Sequence, residues 1–250
     1  MDGLRIDLNC DMGEGCGNDA ELMTLVSSAN IACGYHAGDA ATMQRTIDLA
    51  LENGVAIGAH PGYSDRANFG RTSMDLLSDA VFGLITIQIS TLDRIARDAG
   101  TTLDHVKPHG ALYNQAACDA GIAAAIARAV AEFDKSLTLY GLSGSASIVE
   151  AEKLGLRTAS EVFADRTYQN DGTLTPRREP NALIRDAGQA TMQVLDMIKY
   201  GRVRSVDGEM VAIRAETVCI HGDGENAVEF ARSINRTLAE SGIFISAING

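Results

Sequence analysis

The chain has no tryptophan, only 4 prolines among its 250 residues, and no apolar run approaching the ~18 residues that would span a bilayer. Its N-terminal stretch shows no basic segment followed by an apolar one, so no secretory signal is expected and the reading is cytoplasmic, without a membrane partner. The five cysteines (Cys10, Cys16, Cys33, Cys118 and Cys219) include no C-x-x-C pair, which argues against a disulfide framework or a structural zinc site. Cys10, Cys33 and Cys219 are read as small buried residues on strands. Positive charge is scarce: 21 Lys and Arg against 33 Asp and Glu give a net charge of −12, which excludes general affinity for nucleic acid. A small anionic ligand then needs a local cationic pocket.

What the sequence does contain is alternation. Short runs at Leu4–Leu8, Ser28–Ala32, Val55–Ala59, His105–Lys107, Leu137–Gly141, Arg157–Val162 and Thr217–Ile220 read as strands. Between them, apolar residues recur at helical spacing, as in Met43–Ile47–Ala50–Leu51, Val81–Leu84–Leu92–Ile95–Ala99, Ile184–Ala187–Val194–Ile198 and Val228–Ala231–Ile234–Leu238. Gly54, Gly100 and Gly155 sit where helix C-terminal glycines belong. With no linker-like stretch, the expectation is a single α/β domain over residues 1–250, most economically a barrel of about seven βα units. An open doubly wound sheet is the alternative. The polar segment Ala164–Asn181 reads as a loop on the active side or a small insertion.

In parallel α/β folds ligands gather at the C-terminal ends of the strands. Four of the five histidines, His36, His60, His109 and His221, fall at those ends, whereas His105 begins its strand and reads as structural. Carboxylates accompany them, so proton transfer or metal ligation are the natural chemistries. Asp11, His60 and His109 arrive from different strand ends and are the candidate ligands if a divalent metal is present; nothing in their spacing requires one. Lys107, at a Val-Lys-Pro-His strand end, needs a partner if buried. Arg71 and Arg166 are further informative cations among these loops. Gly13-x-Gly15-x-Gly17 and Gly141-Leu142-Ser143-Gly144-Ser145 lack the remaining features of phosphate loops and read as tight turns.

The same segments resemble the LamB/YcsF family of 5-oxoprolinase A subunits: Asp7–Glu14, Ala29–Asp39, Gly58–Tyr63, Phe69–Arg71, Lys107–Asn114, Glu161–Arg166, Asp171–Arg177 and His221–Asp223, in order along essentially the whole chain. Ala40 and Cys16 depart from the family's usual Pro and aromatic residue. The resemblance implies an irregular seven-stranded β/α barrel similar to the glycoside hydrolase/deacetylase superfamily. It also implies a cytoplasmic hydrolase that, with partner subunits B and C, opens the cyclic amide of 5-oxo-L-proline to L-glutamate at the expense of ATP. No nucleotide motif is evident here, so ATP binding is expected to fall largely to the partners. On this reading Asp11, His60, Lys107, His109, Glu161 and Asp165 form the catalytic set. Asp11 or His60 activates water, Lys107 and His109 stabilise the oxyanion or the phosphoryl group, and Glu161 or Asp165 protonates the departing nitrogen. Asn9, Asn30, His36, Asp39, Arg71, Tyr113, Arg166, His221 and Asp223 form the substrate-binding set. The competing readings are a metal-dependent deacetylase of an N-acetylated sugar and a non-catalytic binding subunit.

Overall fold

The computed structural model describes residues 3–224 and 226–249. Seven parallel strands close into a barrel: β1 (Arg5–Met12), β2 (Ser28–Ala32), β3 (Ala56–His60), β4 (His105–Val106), β5 (Thr138–Leu142), β6 (Arg157–Phe163) and β9 (Thr217–Ile220). They pair in that order, and β9 returns to β1 with Asp7 opposite Thr217 and Cys10 opposite Ile220. All seven strands expected from the sequence are present, and the closed barrel displaces the open sheet as the architecture. Three strands had no counterpart in the apolar pattern because they are short or exposed: the antiparallel pair β7 (Arg202–Arg204) and β8 (Met210–Ala212), and β10 (Phe244–Ile245), which adds to the start of β1.

Helices pack outside the barrel: the short α1 (Asp19–Leu22), α2 (Ala40–Asn53), α3 (Ser78–Asp98), α4 (Gly110–Cys118), α5 (Ala120–Phe133), α6 (Ala146–Lys153), α7 (Ala187–Tyr200) and α8 (Ala227–Glu240). The β4-to-β5 crossover uses two of them, divided at Asp119, whose carboxylate accepts from the amides of Gly121 and Ile122 and starts α5. Gly54, Gly100 and Gly155 have positive φ at the ends of α2, α3 and α6, as expected. Ile184 precedes α7 instead of belonging to it. No described helix is long and apolar enough to cross a membrane.

Successive residues of a strand face opposite sides. On β1, Ile6, Leu8, Cys10 and Met12 pack in the apolar core, whereas Asp7, Asn9 and Asp11 bond to residues from strands across the barrel. The barrel interior is therefore polar, unlike the stacked aliphatic layers usual in β/α barrels. At its lower end Asp7 accepts hydrogen bonds from the hydroxyls of Ser27, Ser28, Tyr140 and Thr217. Burial pushes the Asp7 carboxyl above its ordinary value in spite of these four donors. One layer up, Asn9 donates to Glu161 and Thr217 and accepts from Asn30, whose carbonyl in turn takes His105 Nε2–H at 2.8 Å. Gly58 makes room for that imidazole: a Cβ there would lie 2.1 Å from His105 Nε2.

Asp7→Ala would strand those four hydroxyls and is expected to cost about 3 kcal/mol or more in urea unfolding, with Asp7→Asn clearly milder.

Candidate functional site

The upper layer of the interior holds Lys107, 2% exposed, between two carboxylates. Its Nζ lies 2.8 Å from Asp11 Oδ1 and 2.9 Å from Glu161 Oε1, and it donates to Asn9 Oδ1 and Cys219 Sγ at 3.2 and 3.0 Å. Burial opposes its charge, but Asp11, Cys219 and Glu161 hold the ammonium well above its ordinary range. Burial likewise works against Asp11, and His60 and Lys107 beside it pull its carboxyl well below the usual value. The ring of Phe163 lies 5.4 Å from the Lys107 nitrogen.

Above this layer three histidines meet. His60, the last residue of β3, places Nε2 2.9 Å from Nδ1 of His109, the residue that precedes α4. His36 stacks on His109 with the rings 3.8 Å apart and 3° from parallel, and its Nε2 lies 3.1 Å from Glu14 Oε1. Glu14 is one of two site residues absent from the sequence-based set, although its place in the Gly13–Gly17 turn put it in view. All three glycines of that turn have positive φ, which carries the Glu14 side chain back over the end of β1. Burial, together with Asp11 and Asp223, pushes the Glu14 carboxyl well above its ordinary range. Burial pushes His36 down to about 2, and burial with the neighbouring His60 and His36 also holds His109 well below its usual value. The histidine group is packed so tightly that a Cβ on Gly70 would lie 2.8 Å from His36 and 2.9 Å from His109. Next to it, Phe69 has φ 57°, the one positive-φ non-glycine among the described residues, and its carbonyl accepts from His109 Nε2 at 2.8 Å.

These layers form the floor of a narrow cleft of about 30 Å³ walled by Asp11, His60, Lys107, His109, Tyr113 and His221, with Arg71, Arg166 and Arg177 around it. A second, roomier cavity of about 250 Å³ adjoins it through Arg177 and His221 and reaches Asp165 and Asp223. His221 Nδ1 is 2.9 Å from both Asp165 oxygens. Burial works against the Asp165 carboxylate, but His221 holds its carboxyl below the ordinary value. Arg71 is paired with Asp223, and its guanidinium also lies 4.8 Å over the Phe69 ring.

The structure thus gathers most of the expected residues, in different positions. Asn9, Asn30 and Glu161 lie beneath the floor, each at 0% exposure, and bond to other core groups instead of facing the cleft. Glu161 Oε2 and the Tyr113 hydroxyl are buried without a partner. Arg166 is buried with its guanidinium donating to the carbonyls of Thr175 and Ala182, so it pins the loop that follows β6; burial lowers it to about 10. Asp39 stands apart: exposed, it caps α2 by accepting from the Thr42 amide at 2.8 Å. His105 is spent on Asn30 and stacks on Tyr140. Cys10 and Cys219 are buried on strands, and Cys33 is buried one residue past β2. Arg177 was missed as a site residue; a cation in the polar loop of an acidic chain was the available signal.

Lys107→Met is expected to lower stability by about 3–5 kcal/mol because two buried carboxylates lose their counter-ion. Adding Glu161→Gln removes one of those charges, so chemical denaturation of the double variant should show at least ~1 kcal/mol recovered relative to additivity.

Comparison with known proteins agrees with this architecture. A lactam utilization protein from Thermus thermophilus is 42% identical, with 98% of this chain aligned to 100% of that one at a TM-score of 0.92. A family 4 carbohydrate esterase from Streptomyces lividans aligns with 99% of this chain and 93% of its own at 13% identity and TM-score 0.54. The T48 deacetylase covers 99% of this chain and 89% of its own at 12% identity and TM-score 0.55. The latter two share the fold. Residues 6–250 match the LamB/YcsF family, and the chain belongs to that family.

Proposed function

We propose that this chain is the lactam-handling subunit of an ATP-dependent 5-oxoprolinase, opening 5-oxo-L-proline to L-glutamate with partner subunits B and C. The observation that carries the reading is the cleft itself: a Lys107–Asp11 floor beneath Arg71 and Arg177, in a chain of net charge −12. That arrangement suits a small substrate with a carboxylate at one end and a carbonyl at the other. The lactam utilization protein from Thermus thermophilus supports a lactam as the substrate class.

A five-membered lactam is a weak electrophile, and its ring form is favoured over the open amino acid. Transfer of the γ-phosphoryl group of ATP to the lactam oxygen makes the ring carbon attackable. Water then adds to that carbon, the C–N bond breaks, and the nitrogen takes up a proton. A second water cleaves the remaining acyl phosphate, so one ATP and two waters yield ADP, phosphate and glutamate. Lys107, held as an ammonium, stabilises the developing negative charge on the carbonyl oxygen, a contribution typically of ~3 kcal/mol per donor. Asp11 has its proton affinity lowered, which suits it to orienting water by accepting a hydrogen bond more than to removing a proton outright. Protonation of the leaving nitrogen is assigned to His221, oriented at Nδ1 by Asp165, because Glu161 lies below the floor. Arg177 and Arg71 hold the substrate carboxylate, and ATP is bound largely by the partner subunits.

Reconstitution with candidate B and C subunits, assayed for glutamate from 5-oxoproline and ATP, tests the reading. Asp11→Asn should lower kcat by ~10²-fold or more with assembly intact, and Arg177→Ala should raise KM by about tenfold with little change in kcat. Glutamate formation in no combination would sink the proposal. Undiminished turnover with Asp11→Asn would leave the chain a binding subunit only. A second reading, deacetylation of an N-acetylated sugar, is favoured by the histidine and carboxylate cluster on this barrel and predicts acetate release by the isolated chain.

A further inference from the structure

The contact between His60 and His109 is not explained by hydrogen bonding between neutral rings. His60 Nδ1 lies 2.8 Å from the Lys107 carbonyl and His109 Nε2 lies 2.8 Å from the Phe69 carbonyl. A carbonyl can only accept, so both of those nitrogens carry the protons. In the neutral rings the remaining nitrogens, His60 Nε2 and His109 Nδ1, are then bare lone pairs facing each other at 2.9 Å, with Glu14 Oε1 at 3.7 and 3.3 Å from them. These two nitrogens, Glu14 Oε1 and Asp11 Oδ2, which lies 3.4 Å from His60 Nε2, converge in a buried site, an arrangement that a shared proton or a bound cation would satisfy.

We infer that Glu14, His60 and His109 form a binding site for one divalent transition-metal ion of the zinc type, with Glu14 as its carboxylate, because Asp11, although its Oδ2 lies 3.4 Å from His60 Nε2, is already paired with the Lys107 ammonium at 2.8 Å. The three ligand edges average 3.3 Å (from 2.9, 3.3 and 3.7 Å), close to the edge of about 3.3 Å for a tetrahedron with metal–ligand bonds of 2.0–2.1 Å. The carbonyls behind both imidazoles fix the tautomers that ligation needs. His36 stacks parallel to His109 and steadies Glu14 through its 3.1 Å contact, so it positions the carboxylate. His60 and His109 also line the cleft. An ion held there would supply Lewis-acid polarisation to an oxygen bound in the cleft. Asp11, Cys219 and His221 also bring ligand atoms within 4.8 Å of one another, but Cys219 lies 3.0 Å from the Lys107 ammonium, whose charge repels a cation from that second group.

The inference does not rest on the lactam reading, and its test reads binding instead of turnover. The full chain, stripped with a chelator and dialysed, is titrated with Zn²⁺ by calorimetry and with Co²⁺ by visible absorption, Mg²⁺ serving as the hard-cation control. The expected result is one equivalent of Zn²⁺ or Co²⁺, intense d–d bands of low-coordinate Co²⁺, and no competition by Mg²⁺. Glu14→Gln and His109→Gln should each weaken affinity at least ~30-fold, His36→Ala by a smaller factor, and Asp11→Asn by less than about fivefold, with folding checked by circular dichroism. Should His109→Gln fail to fold, Glu14→Gln, a near-isosteric change, decides alone. Absence of saturable binding would show that the cluster holds a shared proton and would overturn the inference. So would unchanged affinity in Glu14→Gln, or a loss in Asp11→Asn as large as in Glu14→Gln.

Discussion

One ammonium group, that of Lys107, is the condition for the polar interior of this barrel. Two carboxylates cannot sit charged on its axis without a counter-charge, and Lys107 lies within 2.9 Å of both Asp11 and Glu161. Around that triad the amides of Asn9 and Asn30 and the hydroxyl of Thr217 add donors and acceptors, so the charges are dispersed through a bonded network that leaves Glu161 Oε2 unpaired. An aliphatic filling would pack as well and be easier to fold. The polar filling instead carries a fixed charge up the axis to the cleft floor, where chemistry on a small anion can use it.

The upper rim is built by the opposite device, absence of side chains. The Gly13–Gly17 turn returns Glu14 over the barrel, and Gly70 lets His36 and His109 stack face to face. Phe69 holds a backbone conformation that few bulky residues adopt, and its carbonyl sets the tautomer of His109. Strain and crowding are concentrated where the groups of highest chemical interest meet.

The strands and most helices were legible because a parallel barrel buries its strands on both faces, and helical spacing marks the outer layer. Ser28–Ala32 and Thr217–Ile220 agree residue for residue. The strand-end histidines were legible for the same reason, since strand ends are where loops converge. What was not legible was depth. Asn9 and Glu161 look like site residues in a polar motif, but alternation along β1 and β6 places them beneath the floor, a fact that depends on register across the barrel. Asp39 resembles a site carboxylate for an equally local reason: an acidic residue that ends a glycine turn is also the usual start of a helix. Glu14 and Arg177 escaped because their roles come from loops folding back, which no periodicity announces.

Closure of the barrel between β1 and β9 joins residues about 210 positions apart, and the polar interior crosses that seam: Asp7 and Asn9 bond to Thr217, and Lys107 to Cys219. A ribosome-bound chain that has made the first six barrel strands therefore has its interior carboxylates and amides but lacks the strand that completes their bonding. Such a half-built barrel has little reason to exclude water from its axis, and the β1–β9 pairing is among its longest-range contacts. The charged core is therefore completed only when β9 pairs with β1 and closes the ring.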